Sequence, residues 1–242
     1  MKHVLILCFF SLSLFSQAQV DLKWTERKAQ IRLGGGSLQP SADFALSGEQ
    51  SLFVLNGFQV NAGFIYGIYR NLGLGVHLDY NQYGFDVNRF SAQQGGAGVT
   101  QLSSFNSTRF GLSVPVFLPI RLGKKSALLI TGEGQAGIRN MNIPKLDLAY
   151  DELDNNFTVV SYRPRANSMG YLAITGGLQC WISKGFGLYV QYQKTLDSRH
   201  SIKYSSRAFD TSKELTEGEH RLHQYVGSSG IQGGLIFIMG RK

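Results

Sequence analysis

Apolar and polar residues alternate along extended stretches of this chain. From Phe110 to Ile120, the residues Phe110, Leu112, Val114, Val116, Leu118 and Ile120 share one face, and Arg109, Gly111, Ser113, Pro115, Phe117, Pro119 and Arg121 share the other. A period of two puts successive side chains on opposite sides of a β-strand, so the segment reads as a strand between two different surroundings. Its prolines are unusual within a paired strand. Leu72, Leu74, Val76, Leu78 and Tyr80 repeat the arrangement opposite Gly73, Gly75, His77, Asp79 and Asn81. So do Phe186, Leu188, Val190 and Tyr192 opposite Gly187, Tyr189, Gln191 and Gln193, and the row Leu172 to Ile182 opposite Tyr171 to Trp181. Weaker versions cover Ala29 to Gly36 and Val60 to Tyr69. Ile231 to Met239 is apolar on both faces, which leaves its register open.

An eighth segment, Leu128 to Gly137, contains the G-x-G-x-x-G spacing of a dinucleotide cradle within Ile130 to Ile138, ITGEGQAGI. That cradle requires a helix opening on the glycines, because the helix N-terminus holds the pyrophosphate. The residues that follow, Ile138 to Pro144, have no helical periodicity. At period two the same stretch sorts into Leu128, Ile130, Gly132, Gly134 and Ala136 on one face and Leu129, Thr131, Glu133, Gln135 and Gly137 on the other, which predicts a strand and no nucleotide site.

The spacing of the eight segments predicts their arrangement. Short connections at Arg70-Asn71, at Leu122 to Lys125 and at Ser183-Lys184 alternate with long ones over 37–58, 87–106, 138–168 and 197–228. This is the rhythm of an up-and-down antiparallel barrel with tight turns at one rim and extended loops at the other. A soluble barrel keeps its apolar row inside, whereas a membrane barrel turns it toward lipid and packs polar groups in the lumen. Here the polar faces are rich in Gly, Ser, Thr, Asn and Gln with isolated charges, rather than the Lys and Glu of a solvated exterior, and this favours the membrane arrangement. Phe58, Tyr69, Tyr80, Tyr83, Phe110, Trp181, Phe186 and Tyr192 fall near strand ends, where interfacial aromatic girdles sit, although each is also compatible with ordinary packing.

Composition agrees. Only 17% of the 242 residues are charged and 29 are glycine, against roughly 25% and ~7% in an ordinary soluble domain. At the N-terminus, Lys2, the apolar run Val4 to Phe15 and the small residues Ser16 and Ala18 form a secretory signal over residues 1–18, leaving residues 19–242 as one barrel domain. The signal run is too short for a spanning helix, which needs ~20 apolar residues. Cleavage would remove Lys2 and Cys8, leaving 23 basic against 16 acidic residues and the single cysteine Cys180. That excludes an intrachain disulfide and a cysteine-based zinc site, and makes Cys180 a buried spectator thiol. The excess of basic residues forms no run, so a nucleic-acid partner is not expected.

In these features the chain resembles the small outer-membrane β-barrel proteins of the Bacteroidetes type, the porin-family or outer-membrane β-barrel domain. The resemblance is carried by FSQAQ (Phe15 to Gln19), LGLGVHLDYNQYG (Leu72 to Gly84), LSVPVFLPIRLG (Leu112 to Gly123), LLITGEGQAG (Leu128 to Gly137) and GLYVQYQ (Gly187 to Gln193). It covers nearly all of the chain after the signal, as composition and spacing rather than a signature motif. It implies an eight-stranded barrel in the cell outer membrane, with short turns in the periplasm and four long loops outside the cell. It also leaves open surface partners or partners in a secretion machinery, such as the type IX system. The chain departs from the family pattern in ending Met239-Gly240-Arg241-Lys242 rather than on an aromatic residue.

Eight strands enclose a lumen just wide enough to be filled by side chains, so a wide pore is not expected, and the reading is a monomeric barrel among outer-membrane lipids. Arg32, His77, Asp79, Arg109, Arg121 and Glu133 fall on lumenal positions. Buried charges require partners, which predicts a structural network in which Glu133 meets Arg109 and Asp79 meets His77 or an arginine. The functional alternative is a proton relay or gate. No catalytic, cofactor or metal site is expected. Two further classes stay open. A lipid-modifying enzyme would draw on His200-Ser201, His220, His223, Asp197, Glu217 and Glu219, without a G-x-S-x-G motif. A soluble periplasmic barrel would bind a ligand. For metals, the pair His220 and His223 and the acidic run Asp147, Asp151, Glu152 and Asp154 lack metal-loop grammar and read as solvated loop residues.

Overall fold

The computed structural model describes residues 29–42, 44, 53–69, 71–93, 98–120, 128–151, 157–164, 167–183, 185–209 and 215–239. The proposed signal, residues 1–18, and Arg121 lie outside the described residues.

Eight strands close into an antiparallel barrel: β1 (Ala29–Pro40), β2 (Val54–Tyr69), β3 (Leu72–Phe85), β5 (Phe105–Ile120), β6 (Leu128–Asn142), β9 (Asn167–Trp181), β10 (Phe186–Phe209) and β11 (Leu215–Met239). Each pairs with its successor in this order, and β11 returns to β1 with Ala29 opposite Met239. Closure leaves no free edge within the barrel wall. At one rim β2 ends at Tyr69 and β3 begins at Leu72, β5 ends at Ile120 and β6 begins at Leu128, and β9 ends at Trp181 and β10 begins at Phe186. Pro115 has a local effect. The ladder to β6 runs unbroken past it, but pairing to β3 skips from Leu72↔Val116 to Gly75↔Ser113, as expected of a residue with no N–H to donate.

The wall is polar inside and apolar outside. Leu112 is 65% exposed and Phe110 57%, while their neighbour Arg109 is 0% exposed. The outward rows also carry Val114, Val116 and Leu118 on β5, Leu74 and Leu78 on β3, Leu172 and Ile174 on β9, and Leu188 and Val190 on β10, all exposed. The parity of ITGEGQAGI holds throughout, with Ile130, Gly132, Gly134 and Ala136 outward and Thr131, Glu133 and Gln135 buried. In β11, Ile231, Leu235 and Met239 are exposed while Gln232 and Ile236 are buried, a register the sequence leaves open. Two of the girdle aromatics go the other way. Tyr83 and Trp181 are 4% and 1% exposed, because they occupy inward positions of β3 and β9 and cap the lumen. Cys180 is half-buried on the outward row of β9 rather than buried.

The long connections are not plain loops. Over 87–106 the chain forms the helix α1 (Val87–Gln93) and the strand β4 (Gly98–Gln101), and over 138–168 the strands β7 (Leu146–Asp151) and β8 (Phe157–Pro164). Asp86 caps α1, its carboxylate accepting from the Arg89 N–H at 3.0 Å. Strands β10 and β11 continue past the rim as one long hairpin after an irregularity between Thr195 and Ser198. On that hairpin β8 pairs with Tyr204 to Phe209, β7 pairs with β8, and β4 with β7, making a five-stranded hood. Leu146 and Leu148, packed by Phe85, Phe90, Val99, Val160 and Tyr162, give the hood its own small core.

Candidate functional site

The lumen is built in three layers. Near the short-turn rim Ile65, Phe117, Leu129, Trp181, Tyr189 and Ile236 form an apolar cluster. Near the hood Leu38, Phe44, Val54, Tyr83, Phe105, Met141, Met169 and Val226 form another. Between them lie the buried polar side chains.

Glu133 is the centre of one group. Arg32 Nη1 donates to its Oε2 at 3.0 Å, His77 Nε2 lies 2.5 Å from its Oε1, and Gln135 Nε2 donates to Oε1 at 3.2 Å. His77 also contacts the Ser113 hydroxyl at 2.8 Å. Arg109 is the centre of the other. Its Nη2 is 3.0 Å from Asp79 Oδ2 and donates to Gln193 Oε1 at 2.7 Å, and its Nη1 donates to Thr195 Oγ1 at 2.7 Å. Gln193 Nε2 donates in turn to Gln135 Oε1 at 2.9 Å. The two groups are therefore one chain of hydrogen bonds ending in an ion pair, Arg32–Glu133–Gln135–Gln193–Arg109–Asp79, crossing the lumen between five strands. Tyr189 donates to Asn61 Oδ1 at 2.6 Å, and Asn61 donates to Gln232.

The expected pairing of Glu133 with Arg109 does not occur. Arg109 stands opposite Arg139 on β6, and Glu133 is six residues along that strand from Arg139, a separation of about 20 Å at the rise of a strand. Asp79 meets Arg109 because the two are directly opposite in the β3–β5 ladder. His77 goes to Glu133 and not to Asp79. Gln193, Gln135 and Thr195 join the chain from inward positions that continue the polar faces of their strands. Arg139 lies beyond the stretch where alternation is clear, although extending the parity of Glu133, Gln135 and Gly137 by one step reaches it.

Glycines make room for this layer at two places. A Cβ on Gly34 would overlap the Tyr189 hydroxyl, and one on Gly111 would overlap the Tyr171 hydroxyl. The outward Gly132 has open space where its Cβ would stand. Gly111→Val is expected to lower unfolding free energy by about 1–3 kcal/mol through overpacking. Gly132→Val should stay within about 0.5 kcal/mol of wild type, a contrast read by denaturant titration of both variants in one detergent.

Among the described residues, the remaining candidates lie on the long β10–β11 hairpin and on β7. His200, Ser201, His220 and His223 lie on the β10–β11 hairpin rather than in a loop; its register sets Ser201 opposite His223 and Tyr204 opposite His220. Asp197 and Glu217 and Glu219 belong to the same hairpin. His220 and His223, an odd number of residues apart in one strand, have opposite parity. Asp147 is bound by Arg163 at 3.0 Å and by the Ser161 hydroxyl at 2.6 Å; Asp151 ends β7, and Glu152 and Asp154 lie outside the described residues. Among the described residues, no three His, Cys, Asp or Glu side chains converge as metal ligands.

No family model matches the sequence, and no curated protein does. Solved structures do. Neisserial surface protein A aligns over 86% of this chain and 96% of its own at 10% identity and a TM-score of 0.49. The outer membrane protein OprG from Pseudomonas aeruginosa aligns over 92% and 100% at 12% identity, TM-score 0.49. A major outer membrane protein from Thermus thermophilus aligns over 87% and 99% at 12% identity, TM-score 0.46. The closed barrel of this chain rests on its own strand pairing.

Proposed function

We propose that this chain is an integral outer-membrane barrel, delivered by its N-terminal signal, whose lumen is a sealed structural plug and whose hood carries a non-enzymatic surface role: binding, envelope organisation or association with a secretion machinery. The observation that carries the reading is the inversion of the wall. Five exposed apolar residues, Phe110 to Leu118 at alternate positions, run along β5 while Arg109 is 0% exposed behind them, an arrangement that supports a wall facing lipid. Apolar clusters at both ends of the lumen support a barrel without a conducting path. The hood supports a surface role, because it extends the barrel by a separately packed sheet that the membrane-spanning wall does not need. The Bacteroidetes-type assignment is carried by the sequence segments alone.

The test is fractionation of expressing cells followed by gel electrophoresis with and without boiling. The protein is expected in the detergent-extracted outer membrane, with a mobility that changes on boiling, and with no single-channel current in planar bilayers for wild type or Glu133→Ala. Recovery as a soluble protein without detergent would overturn the membrane reading and favour the soluble ligand-binding barrel; a current lost in Glu133→Ala would favour the gate.

One observation favours a lipid-modifying enzyme as the second reading. The hairpin register places Ser201 directly across from His223, the two residue types that a hydroxyl nucleophile and its base require. Deacylation of phospholipid or lipid A by the purified protein, abolished in both Ser201→Ala and His223→Ala, would establish it in place of the non-enzymatic role.

A further inference from the structure

Arg139 on β6 stands directly opposite Arg109 on β5, and the two side chains are 1% and 0% exposed. Like charges directly opposite one another destabilise an antiparallel pair. Asp79 is held by Arg109, and Glu133 by Arg32 and His77. Among the described buried residues, three guanidiniums (Arg32, Arg109, Arg139) thus face two carboxylates (Asp79, Glu133), an excess of one positive charge with His77 counted neutral. An unpaired ion in a low-dielectric interior is strongly destabilising.

The surroundings of Arg139 point the same way. The ionisable groups that act on it are Tyr83, Arg109, Tyr171 and Asp79. The guanidiniums of Arg109 and Arg139 lie 5.5 and 6.0 Å from the centroid of the same Tyr171 ring. Among the described residues, Nε and Nη2 of Arg139, Nε of Arg109 and the hydroxyls of Tyr83 and Tyr171 are buried without a hydrogen-bond partner, and so is Asp79 Oδ2, which meets Arg109 only as an ion pair. All but the Asp79 oxygen donate, and the two hydroxyls also accept. With five such donor atoms and one carboxylate oxygen the cluster is short of acceptors, and its charge balance is short of one negative charge. Water would supply the first but not the second.

We propose that a small monovalent inorganic anion of the halide class binds in the lumen beside Arg139, held by its Nε and Nη2 and by the hydroxyls of Tyr83 and Tyr171. One negative charge balances the excess, and the cluster of Phe105, Met141 and Met169 toward the hood shields the site from solvent and favours a small ion. Such an ion also screens the Arg109–Arg139 repulsion that the strand register imposes.

The test uses the full-length protein folded in detergent, in mixtures of sodium bromide and sodium gluconate at constant ionic strength, with unfolding followed by intrinsic fluorescence and by the boiling-dependent gel shift. The denaturant midpoint of wild type is expected to rise with bromide, as it does for any ligand that binds only the folded state. Arg139→Gln, which removes the charge, is expected to lose that dependence. Tyr171→Phe, which removes one donor and no charge, is expected to weaken it and serves as the variant of record if Arg139→Gln does not fold. A wild-type midpoint that is the same in bromide and gluconate overturns the proposal. So does a bromide dependence that persists undiminished in Arg139→Gln or, in its place, in Tyr171→Phe.

Discussion

Glu133→Gln is expected to lower the unfolding free energy by about 3–5 kcal/mol, because removing one member of a buried ion pair leaves its partner buried and uncompensated. Glu133 is the only carboxylate among the described contacts of Arg32, which is 2% exposed, and it also anchors His77. The replacement keeps the shape of the side chain and removes only the charge. Replacing the pair together, Arg32→Met with Glu133→Leu, is expected to restore much of the loss, since well-packed apolar groups substitute for a buried ion pair at little or no cost. Urea titration of wild type, Arg32→Met, Glu133→Leu and the double variant closes the cycle and yields the coupling energy. Wild-type stability in Glu133→Gln would mean that the lumenal chain is not structural, and would return weight to the relay or gate.

Val114→Arg is expected to cost about 2–4 kcal/mol in a lipid bilayer, the penalty for arginine at the midplane of a barrel's lipid face. Val114 is central in the outward row of β5 and 47% exposed. In a water-soluble barrel an arginine at so exposed a site would change stability by no more than about 0.5 kcal/mol. Equilibrium unfolding from lipid vesicles therefore discriminates the two settings, and an unchanged stability would count against a lipid-facing wall. Asn106 and Asn142, paired at 3.1 Å on the same face nearer the hood, lie where an arginine should cost about 0–1 kcal/mol, which makes Asn106→Arg the internal control.

The sequence by itself determined which residues of most wall strands face in and which face out. Alternation is a property of the extended backbone, so it marks Leu112 against Arg109 and Ile130 against Glu133 before any partner strand is known. The same property turned ITGEGQAGI from a nucleotide cradle into a wall strand, and the spacing of short and long connections set the strand count. Only the tertiary structure decided what meets across the lumen. Arg32 and Glu133 are 101 residues apart on strands that do not pair, and closure of the barrel brings them together. Register along the strands, invisible to parity, kept Glu133 away from Arg109 and set Arg139 against it. The hood was hidden for a related reason. The outer halves of β10 and β11 lack the apolar row of the wall, and their strand structure comes from pairing with each other and with β8. For Ile231 to Met239, apolar on both faces, the neighbours β1 and β10 fix the register that hydrophobicity could not.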